Sequence, residues 1–187
     1  RFPPERVPEA ARRIAAALAE LDAGPADLGL THGGAGGDIL FTEAALARSM
    51  PVQFLQPFGE DEFIERSVRP VCDGEQWAAR YRSVADRLAC PPQTMPPADA
   101  SAAPAGSAAP DNPFERCNRW LLDTALACGG DRVWLLCLWD GQGGDGAGGT
   151  AHMVAEVQRC RGHVIHINSR DLQAHDPAGS RADAGLA

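Results

Sequence analysis

Lysine is missing from this chain: all 17 of its basic side chains are arginine. The phosphate loop of Walker-type NTPases needs a lysine that reaches the β- and γ-phosphates, so that class is excluded. The all-arginine set reads as codon bias rather than as function. Positive charge is also short overall, with a formal net charge of −8 and a pI near 5. Sequence-independent nucleic-acid binding needs a basic surface to neutralise phosphates, and no nucleic-acid partner is expected. No apolar run approaches a membrane span, and no charged n-region and apolar h-region open the chain. The expectation is a soluble cytoplasmic protein with no membrane partner. The six cysteines form no CxxC pair and have no ligand-like spacing with the five histidines, so neither a metal nor a cofactor is indicated. Four of the cysteines lie inside apolar helical or strand patterns, and the set reads as buried reduced thiols.

What is present is enough for one domain: 187 residues, 44% of them hydrophobic. Residue 1 is Arg, in a proline-rich opening, and the chain reads as a piece of something longer. Ala11, Ile14, Ala15, Leu18 and Leu21 recur at helical spacing after Pro8, which predicts a helix with one apolar face. A short strand follows at Asp27 to Thr31, then a helix over 38–48 with Leu40, Phe41, Ala44 and Ala45 inward. Val52 to Phe58 reads as a strand and GEDEFIERSV as a short helix. Trp77, Tyr81, Val84 and Leu88 mark a further helix, with the two aromatics as packing residues rather than a base-stacking platform. Residues 91–111, rich in Pro, Ala and Ser, read as a mobile loop, with a short strand near Gln93 to Met95. A helix over 112–128 presents Trp120, Leu121, Thr124, Leu126 and Ala127. The run Val133 to Trp139 then reads as a strand covered on both faces of a parallel sheet. A helix over 151–160 and an alternating strand over 163–168 complete a domain spanning 1–172, with 173–187 as a disordered tail. The fold class is α/β with a mostly parallel sheet.

The chemistry-bearing stretch is DLGLTHGGAGGDILFTEAAL, from Asp27 to Leu46, where a strand runs through a glycine cluster into a helix. Gly33, Gly34, Gly36 and Gly37 permit positive φ and let a ligand approach the backbone, while the helix start offers unsatisfied amides to a phosphate or carboxylate. The plain alternative is a tight turn. Asp38 is placed either to cap the helix or to accept hydroxyl hydrogen bonds from a ribose. Glu43 is a solvated helix charge or a pocket residue, and His32 a structural hydrogen-bonder or a base.

A second glycine loop, GQGGDGAGG after Asp140, leads into Thr150 and another helix. In open α/β sheets ligands sit beyond the carboxyl ends of the strands, where neighbouring loops diverge. Two such loops favour a nucleotide-type small molecule as the ligand.

The pattern THGGAGGDILFTEAALARSMPVQFLQPF, with ERCNRWL and GGTAHMVAEVQRCRGHVIHI, resembles the SMF/LOG (SLOG) superfamily of Rossmann-like nucleotide-binding domains over residues 8–168. The likeness is nearest to bacterial sensor-type members fused to repeat or signalling modules. It implies a Rossmann-like three-layer sandwich and, by matching positions, a ligand set of Thr31, His32, Gly33, Gly34, Gly36, Gly37 and Asp38 in the first loop. Gly148, Gly149 and Thr150 match the second loop, and Arg116 and Asn118 the polar pair on the preceding helix. Two departures stand out. The family begins with a central strand, and no strand precedes the first helix here. The phosphoribohydrolase signature GGxGTxxE has Ala147 at its second glycine and Met153 in place of its glutamate.

The leading expectation is a nucleotide-sensing domain without catalysis. The alternatives are an N-glycoside hydrolase or transferase using Asp38, Glu43 or Asp140, and a non-catalytic interaction module.

Overall fold

The computed structural model describes residues 3–96, 112–142 and 149–173. The elements run in the order α1 (Val7–Glu20), β1 (Gly29–Thr31), α2 (Gly37–Ala47), β2 (Val52–Gln56), α3 (Glu60–Phe63), α4 (Gly74–Ala85), β3 (Gln93–Thr94), α5 (Pro113–Gly129), β4 (Trp134–Trp139), α6 (Thr150–Arg159) and β5 (His163–Asn168). The fold is a mixture of helices and parallel strands, in keeping with the α/β reading. The expected mobile loop and tail fall largely on residues outside the described set.

Strand pairing departs from one continuous sheet. β1, β2 and β3 form one parallel sheet in that order, β4 and β5 form a second, and β1 does not hydrogen-bond to β4. The alternation of β4 sends Leu136 and Leu138 to a core shared with α1, α2 and α4, and Leu135 to a smaller cluster with Leu122 of α5 and Met153 and Val157 of α6. β4 therefore has helices on both faces. It is not covered as the apolar run predicts, because Trp134 is 47% exposed at its start.

Each helix follows from local sequence. Pro8 occupies a first-turn position of α1, and Glu9 pairs with Arg12 at 2.7 Å and Arg13 at 2.8 Å. Its buried face is Ala10, Ile14, Ala17 and Leu18, so Ala15, expected inward, is exposed. Asn112 caps α5 by accepting the Phe114 N–H at 3.0 Å, ahead of Pro113. The larger core centres on Phe54 and Tyr81, both fully buried with ring centroids 5.6 Å apart, and burial of each ring contributes about 2–3 kcal/mol. Trp77 is buried as well, so both aromatics of α4 pack as expected.

The cysteines divide. Cys117 and Cys137 are buried, but Cys72, Cys90 and Cys128 are exposed, against the expectation for the set as a whole. Cys128 lies on the last turn of α5, in line with Leu121 and Ala125 on the face that lines the open cleft. Burial pushes the Cys117 thiol up to about 12 and the Cys137 thiol up to about 11. Brief treatment of the native protein with iodoacetamide at neutral pH should alkylate Cys72, Cys90 and Cys128 and spare Cys117 and Cys137. Peptide mass spectrometry reads the sites, and even labelling of all five would contradict this packing.

Candidate functional site

The glycine loop starts where β1 ends, and each turn of it is pinned. Gly33 has φ +86°, and a Cβ there would stand 2.7 Å from the Phe54 ring, so the loop backbone lies directly on the core aromatic. The Gly34 N–H donates to Asp38 Oδ2 at 2.9 Å, and the Ala35 N–H donates to Ser67 O at 3.1 Å. Gly36 then takes φ 97° and ψ −118°, a conformation essentially reserved for glycine, at the N-cap of α2. Among the described residues no side chain caps that helix, which leaves its leading amides without a side-chain partner.

The cleft between β1 and β4 has a volume of about 680 Å³, within the range of small-molecule sites. Its carboxyl end is polar, where Thr31, His32, Gly37, Asp38, Asn118, Gly149 and Thr150 line one space. The second helix start, α6 behind Gly149, likewise has no side-chain cap among the described residues. Two amino-terminal dipole ends thus face the same end of one cleft, where backbone N–H groups and a partial positive charge suit an anion.

Seven of the residues singled out from sequence are brought together in this way. The others are placed elsewhere. Gly33, Gly34 and Gly36 shape the loop from behind and do not line the cleft. Arg116 is outside the lining, with its guanidinium 3.5 Å from Pro96 O. Glu43 forms a two-pronged ion pair with Arg80, Nε to Oε1 at 2.8 Å, and Arg80 lies over the Trp77 ring at 4.4 Å. That pair ties α2 to α4 rather than serving the cleft. Asp140 accepts the Gln142 N–H at 3.0 Å and sits 3.7 Å from Arg170. Gly148 lies outside the described residues. Of the three carboxylates considered for catalysis, Asp38 is the one that lines the cleft. Asp38 does not cap α2 as one reading expected: the N-cap position is Gly36, and the carboxylate turns back to accept the loop amide of Gly34, which makes it a brace of the loop.

His32 is held in a neutral form. Enclosure pushes its pKa down, opposed by the negative charge of Asp38 and by a hydrogen bond to the Cys117 backbone. Its Nε2 is enclosed and has no partner among the described residues, which leaves a lone pair able to accept from a ligand hydroxyl or N–H. Sequence reasoning missed Gln56. Its Nε2 donates to His32 O at 2.9 Å and to the Tyr81 hydroxyl at 2.8 Å, and the residue is 1% exposed. The signal for it was a carboxamide ending the apolar strand VQFLQ, where water would otherwise be its partner.

No protein-family model, no curated protein and no solved structure matches this chain.

The state of His32 sets a pH dependence. A depressed folded pKa means that the unfolded chain takes up a proton near the ordinary value of 6.5 while the folded chain does not. The stabilisation is complete above that value and is lost as pH falls toward the folded pKa, by up to about 1.4 kcal/mol per pH unit. Urea unfolding at pH 7.5, 6.5 and 5.5 should show this decline, and His32→Gln should flatten it. An identical slope in the variant would contradict the neutral, enclosed imidazole.

Proposed function

We propose that this chain is a binding domain for a nucleotide or nucleotide derivative, taken at the polar end of the cleft and serving as a sensor module without catalysis. The observation that carries the reading is the opening of two uncapped helix amino termini, α2 and α6, onto one space. A phosphate there would receive backbone N–H groups from the Gly37 side and the Thr150 hydroxyl from the other. The Nε2 of His32 and the free lone pairs of Asp38 are suited to ribose hydroxyls, since a carboxylate next to a phosphate would repel it. The resemblance to SLOG domains supports the same ligand class, and with it a Rossmann-like three-layer layout, a bacterial signalling context and a cytoplasmic setting.

The hydrolase alternative asks for two carboxylates across a glycosidic bond. With Glu43 committed to Arg80 and Asp140 outside the lining, Asp38 is left as the single carboxylate in the cleft among the three. A binding role asks less of these residues than a reaction does.

Isothermal titration against ADP-ribose, NAD and cyclic nucleotides tests the proposal. At least one should bind, and Thr150→Ala and Gly36→Val should each weaken it, the latter by more than about tenfold, since a hydrogen bond to a charged group contributes about 1.5–3 kcal/mol. Gly59→Ala is the control: a Cβ there meets nothing within 4 Å, and the residue lies outside the cleft lining. Lack of heat with every ligand, or equal affinity in folded Gly36→Val and Thr150→Ala, would overturn the proposal.

A further inference from the structure

Among the described residues, the outer edge of β5 borders neither another strand nor the cleft. The other free edges differ from it: β3 is two residues long, and β1 and β4 both line the cleft. β5 runs six residues, His163 to Asn168, in unbroken register with β4. His163 N–H donates to Val133 O at 2.8 Å, so alternation along the strand turns the backbone groups of His163, Ile165 and Ile167 toward β4. Those of Val164, His166 and Asn168 face outward, and among the described residues they meet no partner. Proteins ordinarily blunt such an edge with a charged side chain, a proline, a bulge or a very short strand. HVIHIN carries no Asp, Glu, Lys, Arg or Pro, and its pairing with β4 has no bulge. A row of unmet donors and acceptors is thus presented on a strand of ordinary length, a template for one more strand.

We propose that this edge is a homodimer interface, in which β5 pairs antiparallel with β5 of a second copy about a two-fold axis at His166. Residues 97–111, 143–148 and 174–187 contain no Val, Ile, Thr, Phe, Tyr or Trp, so the sequence offers no strand of its own to this edge. A two-fold contact sets one patch against itself, which requires the patch to be self-complementary. β5 meets that condition first in its backbone. With the axis at His166, Val164 opposes Asn168 of the second copy and His166 opposes its own counterpart, so every outward-facing residue of the strand finds another and the two exchange N–H···O bonds. Moving the axis to Ile165 or Ile167 leaves Asn168 or Val164 beyond the end of the opposing strand. The same register sets Ile165 against Ile167 of the second copy, apolar against apolar. The His166 imidazole is tied back within its own copy, with Nε2 2.9 Å from Trp139 O. Charge follows the same symmetry. Arg161 and Asp171 flank the strand at equal distances in sequence from His166, so an antiparallel partner brings each Arg161 to the end that carries the other copy's Asp171. Both residues are exposed, and among the described residues neither the guanidinium nor the carboxylate has an ion-pair partner.

The test is sedimentation equilibrium of the full chain and four variants. The parent should be a dimer that dissociates on dilution. Val164→Pro should be a folded monomer, because the Val164 N–H points outward, and proline there removes no bond to β4 while it blocks the second copy. Arg161→Glu and Asp171→Arg each set like charges against one another at both ends of the interface, and each should weaken the dimer by about tenfold. The double variant with both reversals should return to the parent's affinity, since every swapped charge again meets its opposite. Both flanking positions are exposed and lie outside the strand, so the charge exchange decides the matter even where circular dichroism shows that Val164→Pro has not folded. A parent that stays monomeric up to about 0.5 mM overturns the proposal. So does a dimer that persists in folded Val164→Pro, and so do single reversals without effect or a double variant no tighter than either single one. No nucleotide takes part in this readout, so this proposal and the binding proposal fail separately.

Discussion

The carboxamide of Gln56 is the joint on which the candidate site depends. It is a buried polar group at the end of β2, and a group so placed is costly unless its hydrogen bonds are made. Its two N–H groups go to the His32 carbonyl and the Tyr81 hydroxyl. One bond thereby fixes the first residue of the glycine loop to the neighbouring strand, and the other fixes that strand to α4. Tyr81 in turn is hydrogen-bonded to Glu60, and its enclosure drives the phenol well above its ordinary range, so it stays protonated. From this joint the loop can lie down on Phe54 at Gly33, turn at Gly36 and start α2 with its amides unspent.

The same cleft carries two kinds of surface, and the difference between them organises the functional reading. Toward the carboxyl ends of the strands it is polar, with helix amides, a hydroxyl and an imidazole lone pair. Toward the other end it is apolar between two strand edges, a surface with nothing to offer a phosphate or a sugar. The chemistry of the first region suits an anion, and that of the second suits apolar groups. Among the described residues no group of His, Cys, Asp and Glu could hold a metal ion, and no helix is long and apolar enough to cross a membrane.

Much of the secondary structure was legible in the sequence, because periodicity and turn chemistry are local. HVIHIN reads as a strand and is one from His163 to Asn168, and the helix starts at Gly37 and Thr150 fall where the glycine loops place them. Partners distant in the chain were not legible. Nothing around Glu43 announces Arg80, 37 positions away, and nothing around Gly33 announces the ring of Phe54. The apolar run of β4 suggests full burial, yet its start is exposed because the edge facing β1 is open. Asp38 was readable as a helix-start residue, but its turn back onto Gly34 depends on the loop conformation set by Gln56 and Phe54. Pairing between strands is a property of the assembled molecule, and a split in the sheet leaves no periodic trace.

The central claim is that the two helix starts at Gly37 and Thr150 converge on one ligand. A titration of ¹⁵N-labelled protein with ADP-ribose, followed by amide chemical shifts, addresses it most directly. The account predicts saturable shifts at Gly37, Asp38, Gly149 and Thr150 with a common dissociation constant, and little change on the exposed face of α4. Shifts confined to other surfaces, or different constants for the two helix starts, would contradict it.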